Sequence, residues 1–167
     1  MEGVKGKNLI SMFRLLSQAS SEAAKRPALM TESSESISVS ADATQTKDGA
    51  LRSAAEPEIE LEFTSVMSVD DPIIDDLKGA VLSGEVIEAW NINLDKKGTG
   101  ENADKYEATY YRGYGTSFEV SAPADGNVEV TFGYGANGKG AKGYATVPQS
   151  QLDEALYVFS DTTKTSE

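Results

Sequence analysis

The stretch Glu58-Ile59-Glu60-Leu61-Glu62-Phe63 carries the clearest secondary-structure signal of the chain. Apolar and acidic residues alternate strictly in it. In an extended strand, this places the three apolar side chains on one face and the three glutamates on the other. The pattern predicts a half-buried β-strand with a negatively charged outer face.

The sequence before this stretch predicts two further strands and a long excursion between strands. Ser36-Ile37-Ser38-Val39-Ser40 alternates in the same way and predicts a second half-buried strand. Residues 8–18 lack alternation, which predicts a strand buried on both faces. Residues 41–56 contain no aromatic residue, one leucine and an Asp48-Gly49 pair typical of a hairpin tip. They predict a long protruding hairpin loop, which is either functional or a flexible surface excursion.

One α-helix is predicted, over residues 70–83. Asp70 or Asp71 caps its start, Pro72 lies in the first turn, and Gly84 follows its end. Its apolar stripe consists of Ile73, Leu77, Ala80 and Val81, with Ile74 and Val69 at the margin. We expect this stripe to pack against the body of the domain.

The chain after the helix is predicted to return to β-structure. Predicted strands cover residues 86–94, 106–111, 116–121, 128–134 and 144–147, separated by Gly- and Asn-rich turns. Short strands at this spacing indicate a sandwich or barrel. We therefore expect a mainly β fold with one flanking helix, in a single domain over residues 1–167. Residues 149–160 fit a helix or a final strand, and residues 161–167 are predicted to form a flexible C-terminal tail.

Composition excludes most common enzyme chemistries. The 167 residues include no cysteine and no histidine, so disulfides, a thiolate nucleophile, a Ser-His-Asp triad and the usual zinc sites are excluded. No signal peptide or membrane span is predicted, since Arg14 interrupts the apolar stretch 9–16, and the expected compartment is cytosolic.

The charge balance is strongly acidic and uneven. Fifteen basic against 27 acidic residues give a net charge of -12, which argues against a protein that binds nucleic acid by neutralising phosphates. Residues 1–26, with five basic and two acidic side chains, are instead positive. This asymmetry suits head-to-tail contacts between copies, although it also fits simple solubility.

Motifs that could bind nucleotides or metals fail their context tests. Gly133-Tyr-Gly-Ala-Asn-Gly138 matches a dinucleotide fingerprint, but β-like residues follow it instead of a helix, and Gly140 stands where a P-loop needs Ser or Thr. A glycine-rich hairpin is predicted here. The loop 95–104 has Lys97 where a calcium loop needs an oxygen ligand.

Two acidic pairs also have a structural explanation. Asp70-Asp71 and Asp75-Asp76 lie at the predicted helix N-terminus, which favours negative charge. Neither a cofactor nor a metal is therefore predicted.

A series of aromatic residues leaves two roles open. Its members are Trp90, Tyr106, Tyr110, Tyr111, Tyr114 and Phe118. Filling of the core and of interfaces is favoured, because aromatic residues are common in strands. The alternative is sugar stacking in a carbohydrate- or cell-surface-binding β-sandwich module.

Short motifs follow one another in a fixed order along nearly the whole chain. They occupy residues 6–10, 13–16, 31–32, 42–49, 70–71, 75–77, 86–90, 97–100, 106–113, 116–120, 137–138, 143–145 and 157–159. This ordered series resembles the major tail protein, or tail tube protein, family of long-tailed siphophages that infect Gram-positive bacteria. A secretion-system tube protein of the same architecture is a further alternative.

The resemblance implies a structural virion protein without enzymatic activity. Its subunits would be β-sandwiches flanked by a helix that assemble into stacked, hexameric rings around the channel for genome ejection. The implied partners are further copies of itself, a tape-measure protein, tail chaperones, a tail terminator and a distal tail protein. DNA would pass through the lumen without specific binding, and the protein would reside in the host cytoplasm before assembly and in the phage tail afterwards.

The resemblance also directs attention to two groups of residues. In the family, the long hairpin contributes to an inner barrel wall. Candidate lumen-facing residues are therefore Ser36, Ser38, Ser40, Glu58, Glu60 and Glu62, with their apolar neighbours facing the core. Candidate inter-subunit residues are Thr44, Gln45, Thr46, Lys47, Asp48, Gly49 and Leu51. We expect the segment 41–56 to be mobile in the isolated subunit and ordered in the tube, because it offers little apolar surface for burial.

Overall fold

The computed structural model describes residues 1–148 and Thr162. The strands are β1 Leu9–Leu15, β2 Met30–Ser38, β3 Ala41–Thr46, β4 Gly49–Ala54, β5 Glu58–Val66, β6 Ile87–Lys97, β7 Tyr106–Ser121 and β8 Glu129–Ala145, and the α-helix is α1 Pro72–Ser83. The predictions for residues 149–160 and for a flexible tail over 161–167 fall outside the described residues, apart from Thr162.

The strands form one six-stranded antiparallel sheet and a separate hairpin. Among the described strands, the sheet has the order β1-β6-β7-β8-β5-β2, and β3 pairs with β4. Within the described residues the sheet does not close, so β1 and β2 are its edges. The predicted mainly β class, with one flanking helix and a protruding hairpin, is confirmed.

The sheet bends over its own inner face in the manner of a sandwich. β1 and β5 are four strand spacings apart, which would be about 19 Å in a flat sheet. The rings of Phe13 in β1 and Phe63 in β5 nevertheless lie 5.3 Å apart. The hydroxyl of Tyr111 in β7 also donates a hydrogen bond to Glu35 in β2, across the core. These contacts enclose a single aromatic core between the two halves of the sheet.

Helix α1 packs against this core. Ile73, Ile74, Leu77 and Ala80 are buried, so the predicted stripe is largely correct, and Ile74 belongs to its centre. Gly84 ends the helix in a left-handed conformation with φ of 71°, as its position predicts. Asp71 occupies the N-cap position, but its carboxylate accepts the backbone N–H of Ala28 at 2.9 Å instead of capping the helix. The capping interpretation of Asp71 is therefore wrong, because this carboxylate ties the helix start to the segment before β2.

β1 is buried on both faces, as predicted. Its inner face contributes Phe13 and Leu15 to the aromatic core. On its outer face, Ile10 and Met12 belong to a second apolar cluster, whose other members are Ile92, Leu94, Ala108 and Val147. Among the described residues, no helix is long and apolar enough to cross a bilayer.

The glycine-rich hairpin predicted near residue 133 does not exist. The stretch lies inside β8, which continues to Ala145 beside β7, although the register of the two strands shifts twice. Residues 138–140 of β8 bulge between the pairs Arg112–Asn137 and Tyr110–Ala141, where Gly138 and Gly140 have positive φ, and Thr116 of β7 is the extra residue at the second shift. Close backbone approach explains these glycines: a Cβ on Gly133 would meet the Ser117 hydroxyl at 2.4 Å, and one on Gly113 would meet the Gly135 carbonyl oxygen at 2.0 Å. Glycine serves here to bring two long strands together, which local turn rules do not reveal.

Candidate functional site: an acidic sheet face with two free edges

The register of β2 and β5 brings the predicted serines and glutamates onto one face. Ser34 lies opposite Glu62, Ser36 opposite Glu60, and Ser38 opposite Glu58. We call these six residues the acidic face. All six are exposed, whereas Ile59, Leu61 and Phe63 on the other side of β5 are buried. The structure therefore groups five of the six candidate lumen residues as expected.

Ser40 is the exception. β2 ends at Ser38, and the Ser40 carbonyl instead accepts the N–H of Ala55 at 2.8 Å, so Ser40 belongs to the base of the hairpin. The expectation that Ile37 and Val39 face the core is also wrong, because they are 61% and 50% exposed. Ile37 lies near the end of an edge strand, which has a neighbouring strand on one side only, and the chain leaves the sheet just beyond it.

Two glycines keep the acidic face open. Glu60 lies beside Gly135 of β8, and Glu62 beside Gly133, so a shallow polar depression extends from the glutamates to Ser117 of β7. Within the described part of the chain, Glu58, Glu60 and Glu62 form no ion pair or side-chain hydrogen bond. Among the described residues their charges are therefore uncompensated, and the face is strongly negative.

The same part of the sheet has two free edges. Among the described strands, none is hydrogen-bonded to the outer side of β2, although Leu9–Ser11 of β1 line a small pocket together with Ser33–Glu35 of β2. Among the described strands, β6 pairs with β7 as far as Gly113, and residues 114–121 of β7 are bonded to β8. β1, by contrast, is partly covered, since Phe13 exchanges both backbone hydrogen bonds with Lys25. Unpaired strand edges are surfaces to which another chain can add.

The segment predicted as a long loop is a regular hairpin arm, formed by β3 and β4. Thr44 pairs with Leu51, Gln45 with Ala50, and Thr46 with Gly49, which leaves Lys47 and Asp48 as the tip. The predicted hairpin is confirmed, but its two-residue tip lies one residue before the Asp48-Gly49 pair, and Gly49, with φ of 121°, is the first residue of β4. Every residue of the two strands is exposed, including Leu51 at 66%. The arm thus carries an unburied apolar side chain away from the sheet.

A buried charge network on the outer side of the sheet was missed by sequence reasoning. Glu88 of β6 is only 3% exposed and receives hydrogen bonds from Arg14 Nε at 2.7 Å and from the hydroxyl of Tyr110. Arg112 Nε donates to the same Tyr110 oxygen at 2.7 Å. Burial is the main cause that raises the pKa of Tyr110, and Tyr110 in turn raises the pKa of Arg112. A glutamate between two apolar residues, Ile87 and Ala89, of the strand predicted over residues 86–94 was the available signal.

The aromatic series divides between core and surface. Tyr111 is buried, Phe118 packs against the core, and Tyr114 is exposed. The rings of Trp90 and Tyr110 are tilted by 43° to each other at a centroid distance of 5.1 Å, and the Arg14 guanidinium lies over the Trp90 ring, also at 5.1 Å. The favoured role in packing is thus correct for Tyr111 and Phe118.

Comparison with known proteins gives this architecture a family. Residues 3–142 match the sequence model of the family described as phage tail tube protein. Over 138 residues the chain is 32% identical to a protein described as a tail protein of Staphylococcus phage phiMR25, with 81% of this chain and 72% of that protein covered. The chain belongs to the phage tail tube protein family. This tail tube protein is therefore a structural component of the virion, in the phage tail.

Solved structures share its fold. The SPP1 tail tube matches with a TM-score of 0.75 at 20% identity, covering 99% of this chain and 91% of that chain. The tail of a gene transfer agent particle, refined with C6 symmetry, matches with a TM-score of 0.64 at 14% identity, covering 86% and 100%. The family expected from the sequence motifs is confirmed.

Proposed function

We propose that the tail tube protein closes into rings by pairing the free edge of β2 in one copy with the free edge of β7 residues 114–121 in the next. The main observation in support is that both free edges and the acidic face lie on the same four neighbouring strands, β7-β8-β5-β2. The acidic face then lines a channel through which DNA passes without binding. In this role the protein forms the wall of the tube and is not an enzyme.

Strand direction supports this contact. Neighbours in the series β7-β8-β5-β2 are antiparallel, so its two outer strands run in opposite directions. A rotation about a common axis then brings β2 of one copy antiparallel to β7 of the next, and the alternation continues around the ring. Such a head-to-tail interface closes when its rotation permits. The C6 symmetry of the gene transfer agent tail supports six copies in a ring, and stacked rings make the tube.

Burial and charge support the proposal that the acidic face points into the channel. The opposite face carries the aromatic core, and burial of unpaired glutamates there would be costly. A negative wall repels the phosphates of passing DNA, and screening over about 8 to 10 Å confines the effect to the channel. DNA can slide through the tube only if the channel wall does not bind it.

The hairpin arm is proposed to contact a neighbouring subunit through Thr44, Gln45, Thr46, Lys47, Asp48, Gly49 and Leu51. An isolated two-stranded hairpin is only marginally stable in water. The exposed Leu51 can be buried by a second copy. We expect the amides of residues 43–54 to exchange rapidly in the monomer and slowly in the tube. Equal protection in both states would contradict this role.

Other parts of the life cycle follow from the family. A tape-measure protein, tail chaperones, a tail terminator and a distal tail protein are the proposed partners, and the host cytoplasm is the proposed location before assembly. These partners would set the length and the ends of a tube whose wall this chain forms.

Cysteine cross-linking tests the ring, because the chain contains no cysteine of its own. Ser34 and Ser117 lie in one row of the acidic face, three strand spacings or about 14 Å apart within a copy, which no disulfide can span. Variants that pair S34C, S36C or S38C with S117C cover three registers. Under oxidation, we expect at least one pair to give a ladder of covalent oligomers that ends at the ring size.

Single-cysteine variants are the control, since they stop at dimers. The absence of a ladder from every pair, in preparations that form tubes by electron microscopy, would refute edge pairing. Particles that carry Glu58, Glu60 and Glu62 all changed to Lys test the lumen. We expect tubes to form but DNA ejection to stall, whereas equal charge changes at Glu2, Asp75 and Glu101 leave ejection intact.

A further inference from the structure

We infer that Arg112 is the fixed half of an ion pair between copies, and that it receives the carboxylate of Asp42 from the base of the neighbour's hairpin arm. The inference rests on the proposed edge pairing and adds the contact that sets its register. Arg112 is exposed on β7, where it still lies opposite Glu88 of β6, and the pairing with β6 ends one residue later, after Gly113.

The hydrogen-bond network that orients Arg112 includes a buried carboxylate, whose burial is unfavourable in free energy. Glu88 beneath Arg112 is almost fully buried, and a buried carboxylate is expensive unless cations and hydrogen bonds compensate it. Arg14 supplies the cation, and Tyr110 donates the second bond. The Tyr110 oxygen then accepts from Arg112 Nε, and the guanidinium lies 5.7 Å from the Tyr110 ring centroid. Arg112 is therefore oriented by a buried chain of bonds, although its own side chain lies at the surface.

The oriented guanidinium still has donors to offer. Within the described residues, Nε is the Arg112 atom that makes a hydrogen bond, which leaves both terminal nitrogens for another group. A planar guanidinium with one edge fixed suits bidentate binding of a carboxylate. Because its orientation is fixed before binding, less side-chain entropy is lost when the partner arrives.

The strand topology indicates which carboxylate of the neighbouring copy would bind Arg112. Ile59 of β5 lies opposite Ile37 of β2 on one side and Ala136 of β8 on the other, and Ala136 lies opposite Gly113. The C-terminal end of β2 is thus level with the start of the free edge of β7. A neighbour's β2 along that edge would direct the residues after Ser38 past Arg112, and Asp42 is the first acid among them. Asp42 is exposed and has no partner among the described residues.

Charge reversal tests the pair in the assembly itself. The variants are R112D, D42R and the double variant, with K142D as the matched control, since Lys142 is an exposed cation on β8 away from the free edge. Each of the first two is expected to raise the concentration needed for ring formation by about ten-fold or more, the effect of roughly 1.4 kcal/mol. The double variant is expected to recover most of this loss, and K142D to assemble like the wild type.

A second variant tests the positioning role of Tyr110. Y110F keeps both charges but removes the oxygen that orients Arg112 and one hydrogen bond to Glu88. An intermediate loss of assembly is expected together with a lowered midpoint of thermal unfolding, while circular dichroism at the assay temperature reports an intact fold. Assembly of R112D at the wild-type concentration, or failure of the double variant to recover, would overturn the inference. Normal assembly of R112Q with altered DNA ejection alone would assign Arg112 to DNA phosphates instead. If the wild-type protein forms no rings, the proposed function is contradicted. If rings form and the charge-reversal variants assemble like the wild type, this ion pair alone is contradicted.

Discussion

The change Tyr111→Phe removes one hydrogen bond from the centre of the sandwich and little else. Tyr111 is buried in the aromatic core, and its hydroxyl donates to Glu35 on the edge strand β2. The phenyl ring remains, so no large cavity forms. The variant isolates the tie between the central strand and the strand that we propose as an assembly edge.

The expected loss of stability is moderate. A hydrogen bond to a charged group contributes about 1.5 to 3 kcal/mol. Glu35 is exposed, so its carboxylate regains water when the bond is lost, and the lower end of this range applies. We therefore expect a loss of about 1.5 kcal/mol in the free energy of unfolding. For a chain of this size, that loss lowers Tm by roughly 3 to 6 °C.

Urea unfolding and amide exchange measure the two consequences. The midpoint should fall at unchanged m-value, and amides of β2 should exchange faster, while those of β8 keep their protection. Tyr144→Phe is the control, because this exposed tyrosine has no hydrogen-bond partner within the described residues. Equal stability of both variants, with unchanged exchange in β2, would refute the role of Tyr111 as a tie across the core.

Three further predictions address the strand contact, the buried charge and pH. Gly113→Ala places a Cβ 2.0 Å from a backbone oxygen and should abolish soluble expression, whereas Gly143→Ala, with no atom within 4 Å, should express like the wild type. Arg14→Met leaves the buried Glu88 without its cation and should cost about 3 kcal/mol in urea unfolding, while the double change with Glu88→Leu should cost less than Arg14→Met alone. Burial raises the pKa of Tyr134 above its ordinary value of 10.0, so its hydroxyl stays protonated in the folded state and ionises on unfolding. The contribution of Tyr134 to stability is complete below about pH 10 and is lost as the pH rises further. Unfolding followed by tyrosinate absorbance between pH 9 and pH 12 would therefore show a falling midpoint. A constant midpoint would contradict this prediction.

Local patterns in the sequence were sufficient for several elements. Strict alternation placed β5 and its acidic side correctly, because a strand with one buried face must alternate with a period of two. Proline in the first turn and Gly84 beyond the last bounded α1 within two residues. The Asp48-Gly49 pair located the hairpin tip to within one residue, since tight turns depend on a few residues with suitable backbone preferences. These features are encoded by neighbours in the chain.

Contacts between distant segments decided the rest. The glycines of β8 have the composition of a turn, yet they lie in a strand that pairs with β7 on both sides of a bulge at residues 138–140. A Cβ on Gly133 would meet the Ser117 hydroxyl of β7. Ser36 and Ile37 alternate like a half-buried strand, yet β2 is a sheet edge, and Ile37 remains exposed. Glu88 gave a weak signal, but its partners Arg14 and Tyr110 come from the strands on either side of it. The sequence determines which face a residue occupies along its own strand, since that depends on a period of two. Only the tertiary structure determines which strand lies beside it, because pairing is chosen by the packing of the whole core.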